Sequence, residues 1–342
     1  MPAPPDSDPL NAPTGSSNME PGQVWIDRRP ILVVIASRFQ KPFITLGILC
    51  LFLLAIQLQP PQGLDQKGFR VFCLFMLCVT YWVSGLLPLS ITSLLAIAAI
   101  PLLGIMPAEQ AYSYFGSSVI FFVLGAFILG AAVVSCGLST RLAVRVLKRF
   151  GQSPWSLVYS VYFLCALMSC LMSEHAVAAM VFPIVVELVR ALKLKPGRSA
   201  MAKALYFAIA WGCIIGGTTT FLGGGRGPLA IGFLEKTFPG QSIGFMEYIF
   251  YNLPLVLCLL GVGAFILKTV FPLEIQSIQP AHDRLEQQIS WLGKISWREQ
   301  GVALVLIATI VLWATVGHTI GLANIALLGV GALFLFRLST WR

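Results

Sequence analysis

From residue 42 onward the chain alternates long apolar runs with short polar stretches. The apolar runs are read at 42–59, 69–87, 88–106, 116–137, 200–235, 246–271, 301–319 and 321–338. Each approaches the roughly 20 residues that a helix needs to cross a hydrocarbon core of about 30 Å. The pattern therefore predicts an all-α polytopic membrane protein. Pro88 opens the third run directly behind the second, which predicts a very tight turn between them. Residues 1–24 differ: proline, serine, asparagine and aspartate with no apolar run predict a disordered tail. They lack the basic start and adjoining apolar stretch of a signal peptide. Arg28-Arg29 resembles a twin-arginine signal only faintly, and Pro30 argues against one.

Composition agrees. The 342 residues are 57% hydrophobic and 11% charged, with a mean hydropathy of +0.83. Ordinary soluble domains carry about 25% charged residues, so a soluble enzyme and a disordered chain are excluded. The net charge of +9 suggests a nucleic-acid binder only until its distribution is read, because the basic residues cluster in the gaps between apolar runs. Membrane proteins distribute cytoplasmic charge in this way.

Two of those clusters decide the topology. Segment 138–150 carries Arg141, Arg145, Lys148 and Arg149, and segment 190–203 carries Arg190, Lys193, Lys195, Arg198 and Lys203, neither with an acid. Both belong on the cytoplasmic side, so the stretch between them crosses an even number of times. About 35 residues cannot supply two full spans, and the middle is Ser173-Glu174-His175. A re-entrant helical hairpin over 155–190, with its polar tip near the midplane, satisfies both constraints. Such a tip is tolerated where protein or a water-filled cavity surrounds it. Arg28, Arg29, Arg38 and Lys41 place the N-terminus in the cytoplasm, the 60–67 and 107–115 loops lie outside, and 273–300 is read as a cytoplasmic linker. Leu142, Val146 and Phe150 recur at helical spacing among the basic residues of 139–150, which predicts a helix lying along the interface.

The run at 200–235 is interrupted by Gly216-Gly217-Thr218-Thr219-Thr220-Phe221-Leu222-Gly223-Gly224-Gly225-Arg226-Gly227-Pro228. Glycine in that density frees the backbone from the helix. Broken helices at the midplane mark the binding sites of secondary transporters, with helix N-termini turned toward anionic groups; a small-residue packing face is the alternative. Glu174 and Arg226 are the two full charges expected at depth, and each is the obvious partner of the other. His175, with a reference pKa near 6.5, is a candidate proton relay. His282 and His318 read as structural, and Trp211, Trp291, Trp297 and Trp313 as interfacial anchors or packing residues. All eight cysteines lie in apolar runs with no metal-binding spacing and read as buried, reduced thiols. No catalytic motif is found, so no enzyme is expected.

Trp82-Val83-Ser84-Gly85-Leu86-Leu87-Pro88-Leu89-Ser90-Ile91-Thr92-Ser93-Leu94-Leu95, followed by Pro101-Leu102-Leu103-Gly104-Ile105-Met106, resembles the opening signature of the divalent anion/sodium symporter family. The stretch Ser169 to Pro183 and the break Gly216 to Gly223 are similar to that family's first hairpin and first broken helix. The resemblance implies two inverted repeats, a homodimer, and sodium-coupled uptake of dicarboxylate, citrate or sulfate by an elevator-type movement. On it, 25–272 is the first repeat, with the broken helix at 200–235, and 301–342 the start of a truncated second repeat. By the same resemblance Ser169, Ser173 and Gly223 help form a sodium site, joined by Glu174 and Thr220. Substrate is expected at Ser173, Glu174, His175, Gly224 and Arg226. Glu174 and His175 stand where the family has Asn and Thr, and Gly224-Gly225-Arg226-Gly227 replaces a Pro-Pro-Asn-like segment. An added arginine suits a doubly charged anion, and Glu174 offers a substitute for sodium or a proton carrier. No cofactor is expected beyond Na+ as a coupling ion.

The expected partners are a small anionic substrate, the lipid bilayer of the cell membrane, a second copy of the chain, and a separate polypeptide or further sequence supplying the second repeat; nucleic acid is not expected. One hairpin and one broken helix are half of such a site, so the chain alone is not expected to transport. The rival readings are an anion exchanger or proton-coupled variant, and a truncated, non-transporting membrane scaffold.

Overall fold

In lipid each backbone polar group must be satisfied within its own segment, which leaves the helix as the natural state of every apolar run. The computed structural model accordingly contains helices and no strand among the described residues, which are 31–195, 197–238, 243–275 and 277–340, with side chains from residue 40. The expected tail at 1–24, Arg28, Arg29 and the side chain of Arg38 lie outside the described residues. Packing divides the chain at Tyr112/Ser113 into two units. This is a division by contact rather than by repeat, and it does not follow the 272–301 junction.

The first unit contains α1 (Ile31–Ala55), α2 (Gln66–Ser84) and α3 (Leu89–Leu102), and α4 (Ala108–Ser113) runs up to its boundary. The tight turn between α2 and α3 is present. Gly85 closes α2 in the left-handed region at φ 62°, its N–H on the Tyr81 carbonyl, and Pro88 precedes the first residue of α3. A left-handed φ there is accessible to glycine at little cost. The Tyr81 hydroxyl donates to the Thr45 carbonyl at 2.9 Å and Arg70 Nη1 to the Leu103 carbonyl at 2.6 Å, binding α2 to α1 and to the end of α3.

The second unit contains α5 (Ser118–Ser135), α6 (Leu138–Phe150), α7 (Pro154–Ser169), α8 (Glu174–Ala191), α9 (Ala200–Gly217), α10 (Arg226–Thr237), α11 (Phe245–Val270), α12 (Gln279–Leu292), α13 (Trp297–Ile320) and α14 (Leu322–Leu335). Its centre is the α7–α9 pair. Val158, Val161, Tyr162, Cys165, Leu205 and Ala208 are fully buried between the helices and their neighbours. The backbones approach so closely that a Cβ on Gly216 would collide with the backbone of Ala166. Glu274, beyond α11, fastens the start of α9. Its carboxylate accepts from Ala200 N at 2.6 Å and from the Ser199 hydroxyl at 2.9 Å, and these bonds hold its pKa below the usual carboxylate value.

Among the described residues five helices are long and apolar enough to cross a membrane: α2, α5, α9, α11 and α13. Two of the expected spans come out shorter. The runs at 88–106 and 321–338 yield helices of 14 residues each, about 21 Å at 1.5 Å per residue. Glycine ends α3, where Gly104 adopts φ 65°.

The segment expected to be a plain linker, 273–300, contains α12, which packs against α6 and α8 and buries Ala281 and Leu285. The helix expected at 139–150 forms as α6, but one of its cations is not at a surface. Arg141 is 5% exposed and pairs with Glu299, 3% exposed, at 2.8 Å. It also donates to the carbonyls of Leu292 and Gly293 at 2.7 Å each, at the joint between α12 and α13. Trp313 is a packing residue, 1% exposed, with its indole N–H on the Leu322 carbonyl. Trp291 and Trp297 remain exposed. All eight cysteines are free thiols, but Cys50 and Cys258 are exposed rather than buried.

Candidate functional site

Two chain breaks meet in the second unit. The first lies between α7 and α8, at Cys170 to Ser173. It is short because Met172 N still donates to the Met168 carbonyl and Val177 N already donates to the Ser173 carbonyl, the first bond of the next helix. The second, Thr218 to Gly225, lies between α9 and α10. Glu174 N donates to the Gly223 carbonyl at 2.9 Å, joining tip to tip through the backbone. The Thr220 hydroxyl adds a second tie, donating to the Cys170 carbonyl at 2.7 Å and accepting from Leu222 N at 3.1 Å.

The two charges meet at the same place. Arg226 Nη2 lies 2.6 Å from Glu174 Oε2, although the residues are 52 apart in sequence. The pair is lopsided: the carboxylate side chain is 12% exposed and the guanidinium side chain 63%. Glu174 is the first residue of α8 and Arg226 the first of α10, so both sit where unbonded first-turn amides carry partial positive charge.

Glycines shape the contact unequally. A Cβ on Gly223 would collide with the backbone of Gly217, whereas one on Gly225 would meet only Val123, at 3.7 Å. Gly223→Ala is therefore expected to destabilise the protein by about 1–3 kcal/mol and to separate the tips, while Gly225→Ala leaves it unchanged. Thermal unfolding of the two variants in detergent checks this, and equal midpoints would contradict it.

Most of the residues singled out in the sequence come together: Ser169, Ser173, Glu174, Thr220, Gly223, Gly224 and Arg226 belong to these tips or their immediate ends. Gly224 lies across from the pair, a Cβ there standing 4.0 Å from Glu174 Oε1 and 3.9 Å from Arg226 Nε. Ser169 is fully buried, and its hydroxyl has no oxygen or nitrogen partner, with the Cys213 thiol as its neighbour. The Thr220 hydroxyl also holds the two tips together, through its bonds to Cys170 and Leu222. His175 points outward, its side chain 88% exposed with Nδ1 3.8 Å from Glu174 Oε1.

Residues that the sequence did not single out complete the surroundings. Phe221 lies tilted against Tyr248 with ring centroids 4.3 Å apart and meets Phe245 and Phe122 edge-on. Tyr248 also lies under Gly227, its hydroxyl 2.6 Å from where a Cβ would be. Phe, Tyr and Trp are scattered through most of the apolar runs, so nothing in the sequence marked these. Below Phe221 and Pro228 opens a cavity of about 300 Å³ whose wall includes Glu235, His318 and Asn324.

The arrangement offers an accessible guanidinium for an anion, and hydroxyl, carbonyl and carboxylate oxygens for a hard cation. A family model described as the sodium:sulfate symporter transmembrane region matches residues 40–342. The chain is 29% identical over 309 residues to the Sodium-dependent dicarboxylate transporter SdcS of Staphylococcus aureus strain MRSA252, covering 86% of this chain and 59% of that protein. To the protein of the same name in Staphylococcus saprophyticus it is 29% identical over 275 residues, covering 78% of this chain and 52% of that protein. The chain thus spans little more than half the length of the curated relatives that it matches.

Proposed function

The chain belongs to the sodium:sulfate symporter family, the divalent anion/sodium symporters, and from that premise we propose that its two tips bind substrate in a cation-coupled secondary transporter of small divalent anions. Dicarboxylate, citrate and sulfate are the candidate substrates. The observation that carries the reading is the Glu174–Arg226 pair, in which the carboxylate is enclosed and the guanidinium left open. A guanidinium presents a planar fork of donors that matches a carboxylate or sulfate, and the start of α10 adds partial positive charge beside it. Ser173, Gly224 and His175 border the same opening.

For the cation, Ser169 offers a buried hydroxyl with no oxygen or nitrogen partner. Ser173, the second lone pair of the Gly223 carbonyl and the Glu174 carboxylate are the further oxygens. Thr220 joins this group through the second lone pair of its hydroxyl, while its bond to Cys170 holds the tips together. The tips enter the membrane as a re-entrant hairpin and a broken span, and the second unit carries them across as a rigid body in a homodimer whose N-termini are cytoplasmic. The close α7–α9 packing supports rigid-body movement, since interlocked helices shift together.

Proton coupling or exchange is the second reading, favoured by His175 beside Glu174. Proteoliposomes containing the full protein and presented with labelled succinate, citrate or sulfate separate the possibilities. An inward sodium gradient is expected to drive uptake of at least one. Uptake driven instead by a proton gradient, or only by internal anion, selects the second reading. No uptake under any condition leaves a non-transporting scaffold.

A further inference from the structure

The outer side of α6 carries a regular mixture of charge and apolar surface. Leu142, Arg145, Val146, Arg149 and Phe150 recur at intervals of three and four and stay accessible, whereas Ser139, Arg141, Ala143, Val144 and Leu147 face the interior. That spacing lays the accessible residues along one stripe. The four cations of the helix divide in the same way. Arg141 is neutralised by Glu299 and Lys148 by Glu286, at 2.8 and 2.7 Å. Arg145 and Arg149 take part in none of the ion pairs among the described residues, and the helix itself has no acid.

Beside the stripe, α6 and α7 border an apolar groove of about 420 Å³, lined among others by Val146, Phe150, Tyr159, Phe163, Leu164 and Leu167. Along α7 the rings of Trp155, Tyr159 and Phe163 follow one another with centroids 5.8 and 6.3 Å apart. At the basic end the Arg149 guanidinium stands 5.8 Å from the centre of the Phe150 ring, which lines the groove. An apolar groove among membrane helices gains little by taking up a lipid tail, since neighbouring tails are equally apolar. Selectivity must come from the two guanidiniums, whose donors match phosphate oxygens.

We propose that the α6–α7 groove binds one anionic phospholipid. Its phosphate lies between Arg145 and Arg149, and an acyl chain runs along Tyr159, Phe163 and Leu167. A second copy of this chain is the poorer occupant. A two-fold contact brings the same patch against itself, and like charges juxtaposed in that way oppose association.

Native mass spectrometry of the full protein with phosphatidylglycerol and phosphatidylcholine tests the site. Retention of phosphatidylglycerol over phosphatidylcholine is expected. Arg145→Gln and Arg149→Gln should each weaken it about fivefold, equivalent to about 1 kcal/mol per basic residue near anionic lipid. Lys148→Gln should leave retention unchanged, because that ammonium is turned toward Glu286. Leu167→Trp, at a position already 58% exposed, should narrow the groove and reduce retention without unfolding the protein. Equal retention of both lipids by the wild type, or undiminished phosphatidylglycerol binding in the double arginine variant, would overturn the proposal. So would loss of a dimer in place of loss of lipid. Transport plays no part in these readouts, so the lipid site stands or falls independently of the transport reading.

Discussion

Arg141→Ala is expected to lower the stability of the protein by about 3–5 kcal/mol, the usual consequence of removing one partner from a buried ion pair. The arginine contacts more than its counter-ion. Its guanidinium reaches Glu299 and the carbonyls of Leu292, Gly293 and, at 3.3 Å, Lys294. Glu299 Oε2 in turn accepts from Ser296 N at 2.6 Å, and the Ser296 hydroxyl accepts from Glu299 N at 3.2 Å. One guanidinium thus fixes the end of α12, the first turn of α13 and its own helix, α6. Alanine would leave a buried carboxylate and three carbonyls without it. Lysine would restore the charge but not the fork, so Arg141→Lys should recover only part of the loss. The midpoint of thermal unfolding in detergent is the measurement, and a midpoint unchanged from wild type in Arg141→Ala would show that the clamp is dispensable.

Arg226→Ala should reduce divalent-anion transport by about 10- to 100-fold, the equivalent of one lost charge-assisted hydrogen bond of about 1.5–3 kcal/mol. The wide range reflects how far the side chain is open to solvent, which screens its charge. Without it, the Glu174 carboxylate stands unneutralised at the proposed anion site, where like charge would repel a dianion. Guanidinium ion added to the medium should restore part of the transport by occupying the space left, whereas urea, planar but neutral, should not. Folding can be separated from transport by comparing unfolding midpoints of the variant and the wild type. A well-folded Arg226→Ala protein that transports at the wild-type rate would remove Arg226 from the site.

Much of this architecture was legible because it is written locally. The Gly216–Pro228 break was visible from glycine density alone, and it appears as the gap between α9 and α10. The polar tip at Ser173-Glu174-His175 was visible as the one polar interruption between two acid-free basic clusters. Helix α6 was visible from the spacing of Leu142, Val146 and Phe150. The pairing of Glu174 with Arg226 could be anticipated because few charges lie within the apolar runs, so the choice of partners was short.

The same reasoning could not see Arg141, one of four cations on a single helix, whose partner lies 158 residues away. Nor could it tell that Thr220, chosen for its hydroxyl, uses that hydroxyl to bond Cys170, or that Gly223 cannot accept a Cβ while Gly225 can. Each depends on what a distant segment places within a few ångströms. By itself the sequence determined where the chain enters an apolar solvent and where its helices must break, since hydropathy and backbone freedom belong to a residue and its near neighbours. Only the tertiary structure decided which cations are buried and which face outward, and which oxygens at the tips are already bonded. Those outcomes turn on distances between residues that the chain brings together only once it is folded.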